Sequence, residues 1–365
     1  MTDLNDKFSI TFTGDVFPAD KAFTIGFGIK SQIDKRFDIW KNDFTEVLNH
    51  CRFVIGNLES PIVSDEKVIH NTFYGHPMFG RLLKESGFKI MNLANNHILE
   101  QGEQGFLSTL STMQECGIDV IGETTNNGAS KVLIEEFEGV RIAFAGFCDE
   151  KVCHIPNKGQ YASLSEEKIN DAIQEMNAME ADIKVAVLHW GNEYIHYPSL
   201  QQRVLAHQII DQGIDLIIGH HSHCIQPYES YRNGHILYSL GNFCFDDLQS
   251  KLVSIGMLAE VEISQKKINR IILHGLQLFD PSFSKHLVKR ISEENFKKIY
   301  NSKYEKYLKY CQLPDSKYIQ NFNRERKRNR FIQRVLKRVI LIRKIMLSDY
   351  PKKKAILKNI YAFYR

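Results

Sequence analysis

The sequence predicts an α/β fold in which a mostly parallel or mixed sheet is covered by helices on both faces. Short apolar, β-branched runs recur along the first 280 residues, and helical patterns separate them. Such alternation favours parallel neighbours, because a helix is the usual connection between two parallel strands. With 43% hydrophobic residues among 365, the chain has enough apolar surface for the core of one large domain or two.

Each predicted strand is short, with three to six residues. The predicted strands cover residues 8–12, 53–56, 89–93, 119–121, 132–137, 141–146, 184–189, 216–219 and 236–240. The predicted helices cover residues 78–86, 104–116, 164–179 and 200–212. Ser165 and Ser199 stand where helices typically begin. Residues 253–278 contain two further strand patterns around Gln265, Lys266 and Lys267, which predict a hairpin.

Charge is distributed unevenly along the chain. Residues 282–365 contain 24 Lys and Arg against 6 Asp and Glu, whereas residues 1–281 contain 23 against 37. We therefore predict an acidic body over residues 1–280 and a basic helical C-terminal extension over residues 281–365. Within the extension, helical patterns cover residues 293–310 and 321–347 and are interrupted by Pro314 and Pro351.

The cysteines and the N-terminus bear on the cellular compartment in which the protein is expected. The seven cysteines are scattered, and none belongs to a CxxC pair, which is typical of reduced thiols in the cytosol. The polar N-terminus lacks the pattern of a signal peptide, and no uninterrupted apolar run is long enough to cross a bilayer. We therefore expect a cytoplasmic location.

The second helical pattern of the extension is amphipathic. Between residues 330 and 347 the basic residues fall largely on one face, and apolar residues occupy much of the remainder. Such a helix can lie on an anionic membrane, which would place residues 324–347 at the inner face of that membrane. Alternatively, the apolar stripe packs on the acidic body, or the helix contacts a nucleic acid or a protein. A nucleic acid is the less expected partner, because the extension has no reader motif.

Three histidines directly follow the apolar run of residues 213–218. His220, His221 and His223 lie where this predicted strand ends, and imidazole is the commonest protein ligand for divalent transition metals. In an extended loop His221 and His223 would point the same way, because side chains alternate along an extended chain. The loop therefore predicts a metal site with these two ligands, and His220 is set aside because it would point elsewhere.

Polar side chains follow the other predicted strands as well. Ligands of α/β sheets bind at the carboxyl ends of the strands, so these side chains are expected to meet. They are Asp15, Asn57, Glu59, Asn95, Asn96, His97, His189, Glu193 and Asn242. Carboxylate, amide and imidazole donors without a thiolate favour Mn, Fe or Zn, in a centre of one or two ions. A histidine of the set that binds no metal, such as His97, would suit a general acid for the leaving group.

The ordered motifs around these residues resemble those of the poly-γ-glutamate capsule biosynthesis CapA family, a branch of the calcineurin-like metallophosphoesterases. The motifs are residues 14–16, 57–61, 93–97, 189–193, 219–223 with 226–227, and 239–243. The resemblance covers about residues 8–280 and implies a four-layer α/β/β/α sandwich with a dinuclear metal centre at the strand ends.

The same resemblance implies a role for each residue of the set. His97 is the implied catalytic residue, and the implied metal ligands are Asp15, Glu59, Asn96, His189, His221 and His223. Asn57, Asn95, Glu193 and Asn242 are expected to support these ligands or to contact substrate. The wider superfamily has Asp-x-His in its first motif and a bridging Asp in its second. This sequence differs at both positions: Phe17 replaces the histidine of the first motif, and Asn57 replaces the aspartate of the second. Glu59 follows two residues after Asn57.

The resemblance implies a function in the biosynthesis of capsule or another cell-surface polymer. We expect a metal-dependent hydrolase that acts on a phosphoester or related bond, with an anionic polymer or its precursor as substrate. The alternative is a non-catalytic, membrane-associated component of a polymer-synthesis complex, which keeps the fold but has a degraded metal site. Phe17, in place of an imidazole, and the basic extension motivate this alternative.

Overall fold

Two β-sheets pack face to face in this chain, and helices cover the outer face of each sheet. The computed structural model describes residues 7–21, 24, 28–69, 71, 73–125, 128–245, 252–279 and 286–347. The layers are helix, sheet, sheet and helix, which confirms the predicted four-layer α/β/β/α sandwich. Both sheets contain parallel and antiparallel neighbours, as a mixed sheet requires.

The described residues form the following elements in chain order. The strands are β1 (Phe8–Val16), β2 (Val54–Leu58), β3 (Phe88–Asn92), β4 (Asp119–Ile121), β5 (Leu133–Phe137), β6 (Val140–Cys148), β7 (Ile183–His189), β8 (Leu216–His220), β9 (Tyr228–Tyr231), β10 (Gly234–Leu237), β11 (Asn242–Cys244), β12 (Ile255–Ser264), β13 (Lys267–Phe279) and β14 (His286–Arg290). The helices are α1 (Ile29–Leu48), α2 (Met78–Glu85), α3 (Gly102–Glu115), α4 (Glu166–Ala178), α5 (Leu200–Asp211), α6 (Glu293–Cys311) and α7 (Asp315–Leu347).

The two sheets place their parallel strands at the centre. The first sheet has the order β14-β13-β12-β1-β2-β3-β4, with β11 also beside β1, and the second has the order β5-β6-β7-β8-β10-β9. In the first sheet β1, β2, β3 and β4 run parallel, and in the second β6, β7, β8 and β10 do. Parallel strands have their carboxyl ends at one edge, so each sheet offers one edge at which loop side chains gather.

A hydrophobic core fills the space between the sheets. Ile10 and Ile55 of the first sheet belong to the same buried cluster as Phe144 and Val187 of the second. Burying each such side chain contributes about 1.5–3 kcal/mol. Separate clusters join α1, α2 and α3 to the first sheet, and α4 and α5 to the second. The sheets are therefore held in a fixed relation, and the loops at their shared edge are held with them.

The predicted helices of the body are present, with ends within two residues of the predicted ones. Ser165 caps α4, and Ser199 caps α5 in a capping box with Gln202. α1 is absent from the predicted elements, although its apolar residues recur at helical spacing, with Ile33 and Trp40 buried against the first sheet.

The first strand is longer than predicted. β1 continues to Val16, so Asp15 lies within the strand and pairs with Asn57 of β2 and Asn242 of β11. The close approach of these backbones needs a glycine, because a Cβ on Gly14 would lie 2.3 Å from the carbonyl oxygen of Gly241. The parallel pairing on both sides extends β1 and thereby sets Asp15 in the centre of the sheet edge.

The C-terminal extension begins with a strand. β14 pairs with β13 at the edge of the first sheet, and α6 and α7 follow. Tyr307 of α6 and Tyr318 of α7 pack with Ile195 and Tyr197, which belong to the loop after β7. α7 starts at Asp315, directly after Pro314 and six residues before the predicted start. The interruption predicted at Pro351 lies outside the described residues.

None of the helices in the described part of the chain combines the length and the apolar character that a membrane span requires.

Candidate metal centre

The candidate site lies where strand ends from both sheets meet. β1 and β2 carry Asp15 and Asn57, β7 ends at His189, and β11 begins at Asn242. The loops after β2, β3, β7 and β8 supply the remaining candidates, which are Glu59, Asn95, Asn96, His97, Glu193, His221 and His223. The six predicted metal ligands are all buried. The structure therefore brings together side chains from five segments that are distant in the sequence.

The first donor set surrounds His189. Its Nε2 atom lies 2.8 Å from Oδ1 of Asn96, 3.1 Å from Nδ1 of His221 and 3.7 Å from Oε1 of Glu59. Ligand atoms of Glu59, His189 and His221 all lie within 4.8 Å of one another. Two imidazoles, a carboxylate and an amide oxygen thus converge in one buried place, and all four residues were predicted ligands.

The second donor set lies beside the first and shares Glu59 with it. Asp15, Glu59 and His223 also place ligand atoms within 4.8 Å of one another. The Nδ1 atom of His223 lies 3.4 Å from Oδ2 of Asp15, and its Nε2 atom lies 4.0 Å from Oε1 of Glu59. A carboxylate common to two donor sets is the arrangement that a bridged pair of metal ions requires.

The carboxylate of Glu59 provides the test of whether a cation fits. Both of its oxygens are buried, and neither has a hydrogen-bond partner within the part of the chain that the structure describes. Burial raises the pKa of Glu59 well above its usual value, and the negative charge of Asp15 raises it further. A buried carboxylate without a partner is costly unless it is neutralised or coordinates a metal, so the residues present fit a divalent cation.

The imidazoles of the site are also suited to metal ligation. Burial lowers the pKa of His221 to about 4. Burial, together with the neighbouring His221, lowers the pKa of His189 well below its usual value. Both rings are therefore neutral near pH 7, which is the protonation state that coordinates a metal.

The loop that carries His221 and His223 is not extended. The φ angles are +85° at His221 and +56° at His223, in the left-handed region that residues other than glycine adopt at a cost of about 1–3 kcal/mol. The predicted reason for their common direction is therefore wrong. The two rings nonetheless lie 6.0 Å apart between centroids, and each contributes a ligand atom to one of the donor sets.

Asp15 is held by contacts with the β8 loop. The Nδ1 atom of His220 lies 2.9 Å from its Oδ1, and the backbone N–H of His221 donates to its Oδ2 at 3.2 Å. Burial alone would raise the pKa of Asp15, but its contacts with His220 and His223 hold that pKa well below the usual value. His220 is not among the metal ligands predicted from the sequence. Its position as the last residue of an apolar strand was the signal that it is buried at the same edge as the others.

The predicted supporting residues contact the donor sets. Oδ1 of Asn242 lies 3.1 Å from Nδ1 of His223, and Oε1 of Glu193 lies 3.9 Å from Nε2 of the same ring. Asn95 donates to the carbonyl oxygen of Leu58 at 2.8 Å, next to Glu59. These contacts orient the loops that carry the candidate ligands.

His97 lies beside the donor sets but belongs to neither. Its Nδ1 atom lies 2.8 Å from Oε1 of Glu100, and Nε2 of His154 lies 2.9 Å from the same oxygen. The ring stacks on Phe73 with centroids 5.5 Å apart and meets the edge of Phe17 at 5.8 Å. Burial lowers the pKa of His97, although Glu100 opposes the effect.

Glu100 and His154 were not predicted. Burial alone would raise the pKa of Glu100, but the hydrogen bonds with His154 and His97 lower it to about 2. Glu100 could have been found, because it follows His97 by three residues, a spacing that brings the two side chains together in a helical turn. His154 carries no local signal, because it reaches Glu100 from the loop after β6.

Phe17 stands at the position for which the resemblance to metallophosphoesterases implies an imidazole. Its side chain is fully buried and stacks on Phe245, with ring centroids 4.7 Å apart. The ammonium of Lys21 lies 4.7 Å from the Phe245 centroid and 5.7 Å from that of Phe17. An aromatic pair with a cation over it therefore occupies this position, and the donor set of Asp15 has three members.

The fold and these donor sets define the class of protein, a two-sheet α/β sandwich with a candidate dinuclear metal centre at its strand ends. Residues 9–247 match the model of one family, described as bacterial capsule synthesis protein PGA_cap. The chain belongs to this family, which confirms the resemblance to CapA proteins.

Two curated relatives are similar over much of the chain. The capsule biosynthesis protein CapA of Bacillus anthracis is 32% identical over 259 residues, which are 66% of this chain and 61% of the relative. The PGA biosynthesis protein CapA of Bacillus subtilis (strain 168) is 34% identical over 209 residues, which are 53% of each chain. The chain thus spans between about half and three fifths of the length of these relatives.

Solved structures of lower similarity were also found. The NAD nucleotidase NadN of Haemophilus influenzae is 11% identical, with a TM-score of 0.45 over 89% of this chain and 61% of that one. A 5′-nucleotidase precursor of Thermus thermophilus is 12% identical, with a TM-score of 0.46 over 84% of this chain and 60% of that one.

Proposed function

We propose that the chain is a metal-dependent hydrolase that acts on a phosphoester or related bond of an anionic cell-surface polymer or its precursor, during capsule biosynthesis. The observation that carries the proposal is the carboxylate of Glu59, which is buried without a hydrogen-bond partner among the described residues and is shared by two donor sets. Membership of the capsule synthesis family supports a cell-surface polymer as the substrate, and so do the relatives named for capsule and PGA biosynthesis.

The candidate ligands divide between two metal positions. Asn96, His189 and His221 would hold one ion, Asp15 and His223 the other, and Glu59 both. A divalent metal bound there supplies an acidified water near neutral pH and polarises a phosphoryl oxygen. Mn, Fe and Zn suit the mixture of oxygen and nitrogen donors.

His97 is the proposed general acid. Glu100 accepts a hydrogen bond from its Nδ1 atom, which fixes the tautomer and leaves Nε2 to exchange a proton with the substrate. An anionic substrate beside the ring would favour the imidazolium, which then donates its Nε2 proton to the leaving oxygen. Stacking on Phe73 holds the ring in one orientation.

Lys21 supports an anionic substrate. Its side chain is 8% exposed, and its ammonium lies over Phe245, whose ring centroid is 4.4 Å from that of His223. The Lys21 ammonium therefore lies beside Phe17, at the position for which the resemblance implies an imidazole. We propose that this ammonium binds a phosphate or carboxylate oxygen of the substrate.

The experiment begins with protein purified without chelator. We expect bound Mn, Fe or Zn by elemental analysis, and hydrolysis of bis(p-nitrophenyl) phosphate or p-nitrophenyl phosphate. His97→Ala should lower the rate by about 10²–10⁴-fold with metal content unchanged. His50→Ala, which alters an exposed histidine outside the site, should match the wild type. Protein that is metal-free and stays inactive after Mn, Fe and Zn are each added back would refute the proposal.

Phe17 favours one second candidate function. With an aromatic side chain in place of a ligand, the chain would be a non-catalytic component of a membrane-associated polymer-synthesis complex. Capsule output in cells separates the two candidates. His97→Ala should abolish it if the chain is a hydrolase, and should leave it unchanged if the chain is a non-catalytic component.

A further inference from the structure

α7 is attached to the body through one face. Tyr318 donates a hydrogen bond to the carbonyl oxygen of Pro198 at 2.6 Å, and Asn329 donates to that of Tyr194 at 2.8 Å. The buried residues of this face are Tyr318, Phe322, Glu325, Asn329 and Gln333, which recur at helical spacing. The inner face of α7 is therefore a mixed polar and aromatic surface, and it is occupied.

A second face of α7 carries the apolar residues that the sequence suggested for packing. Its stripe consists of Phe331, Val335, Val339, Ile342 and Met346, at successive steps of three or four residues. Phe331 is 68% exposed and Met346 is 73% exposed, and the other three are 41–57% exposed. The packing alternative predicted for this stripe is therefore wrong, because the helix uses its other face to attach to the body.

Positive charge borders the stripe. Residues 326–347 contain nine Lys and Arg and no Asp or Glu. Arg334 and Arg338 are exposed on the helix that carries the stripe. An exposed apolar stripe with a basic border is the pattern of a helix that lies in the interface of an anionic bilayer.

We propose that the outer face of α7 binds the surface of an anionic lipid bilayer, while the inner face stays attached to the body. The stripe would enter the interfacial region, and the basic residues beside it would contact lipid phosphates. The combination of positive charge and apolar surface favours an anionic bilayer over a second copy of the chain or a nucleic acid. Two copies of the same face would repel each other, and a nucleic acid would use the basic residues but leave the five apolar ones exposed to water.

The attachment places the metal centre close to that surface. Lys337 of α7 lies 2.9 Å from the hydroxyl of Tyr194, and the Tyr194 ring is 5.9 Å from that of His223. Arg330 lies 3.8 Å from Glu193, which faces His223. A helix is about 10 Å across, so the lipid would lie about one helix diameter from the site. The proposal concerns binding alone and holds whether or not the centre is catalytic.

Vesicle sedimentation of the full chain tests the proposal. We expect binding to vesicles of phosphatidylcholine with about 30% phosphatidylglycerol to be at least about tenfold tighter than to phosphatidylcholine alone, and to weaken at about 0.5 M salt. The triple variant Phe331→Ser, Val339→Ser, Ile342→Ser keeps all charges and should lose at least about tenfold of the binding. Val204→Ser, which alters a residue 51% exposed on α5, is the matched control and should bind like the wild type.

Folding of each variant is checked by its circular dichroism and its thermal midpoint, and a single exposed change, Val339→Ser, replaces the triple variant if the latter fails to fold. The proposal is overturned if the wild type does not sediment with anionic vesicles, or if the folded stripe variant sediments like the wild type. It is also overturned if the wild type is a dimer without lipid and the stripe variant a monomer, because the stripe would then be a contact between copies.

Discussion

The side-chain amide of Asn57 donates a hydrogen bond from Nδ2 to Oδ1 of Asp15, over 2.9 Å in the buried centre of the site. Its own Oδ1 atom accepts from Nδ2 of Asn92 at 2.9 Å, so both ends of the amide are used. Asn57 therefore positions the carboxylate of Asp15. A carboxylate at this position, as the resemblance to metallophosphoesterases implies, would face Asp15 as a like charge.

Asn57→Asp should destabilise the protein in the absence of metal. The change removes a donor from Asp15 and buries a second negative charge, so we expect a loss of about 1–3 kcal/mol in the free energy of unfolding. Urea unfolding in metal-free buffer measures this. Excess Mn²⁺ should reduce the loss, because a bound cation compensates both carboxylates. Asn57→Leu removes the hydrogen bonds without adding charge, and its loss should persist with Mn²⁺. A metal-free Asn57→Asp variant as stable as the wild type would contradict this account.

Glu59→Leu should uncouple stability from metal binding. Without metal, the leucine removes a buried carboxylate that has no hydrogen-bond partner among the described residues, so the variant should be about 1–3 kcal/mol more stable than the wild type. The rise of the thermal midpoint that Mn²⁺ causes in the wild type should be absent, since both donor sets lose their shared ligand. Thermal unfolding with and without Mn²⁺ checks both effects. Glu103→Leu, an exposed change on α3, should keep the rise; a Glu59→Leu variant that also keeps it would remove Glu59 from the centre.

His154 should contribute stability that depends on pH. Its hydrogen bond with Glu100 raises the pKa of His154, although burial opposes this. The folded protein therefore binds that proton more tightly than the unfolded chain. The contribution is complete below the unfolded pKa of about 6.5 and is lost as the pH rises through the folded pKa. The thermal midpoint of His154→Gln should thus fall further below that of the wild type at about pH 5.5 than at about pH 8.5.

The same measurement in the Glu100→Gln background is the control for His154. Without the carboxylate, the pH dependence of the His154→Gln difference should disappear, as a double-mutant cycle requires. The ion-pair explanation is wrong if, in the wild-type background, His154→Gln lowers the thermal midpoint as much at high pH as at low pH. His154 and Glu100 would then not stabilise the fold through charge.

Asn329→Ala should loosen α7 from the body. The side chain is buried and donates to the carbonyl oxygen of Tyr194, so its loss leaves that acceptor unpaired. We expect a loss of about 1–2 kcal/mol and faster amide hydrogen exchange along α7 than in the body. Gln320→Ala, an exposed change on the same helix, should leave both unchanged. Equal exchange rates in Asn329→Ala and the wild type would show that this hydrogen bond does not hold the helix.

Local patterns explain which elements could be predicted. Four helices of the body, α2, α3, α4 and α5, have a local apolar period, and their ends lie within two residues of the predicted ones. Serine caps mark the starts of α4 and α5. The extension of β1 to Val16 could not be predicted in this way, because it depends on pairing with β2 and β11. β14 likewise forms by pairing with β13, although the predicted body ends before it. Strand ends are set by partners, which a local pattern does not contain.

The candidate ligands were visible at strand ends because α/β sheets collect functional side chains there. The division of these ligands into two donor sets could not be predicted from the sequence. Which residues share an ion, and the role of Glu59 in both donor sets, depend on distances between five separate segments. His154 reaches Glu100 across 54 positions of the chain, and no spacing rule connects two such residues.

By itself, the sequence determined the layered α/β architecture, the family motifs, the candidate donor residues at strand ends and the amphipathic character of the extension. Each of these is a property of one short segment or of the order of such segments. The tertiary structure alone decided that Asn57 positions Asp15 and that Lys21 lies over the rings of Phe17 and Phe245. It also decided that α7 attaches by a mixed polar and aromatic face and leaves its apolar stripe exposed. These depend on packing between distant segments, which fixes contacts that composition and periodicity leave open.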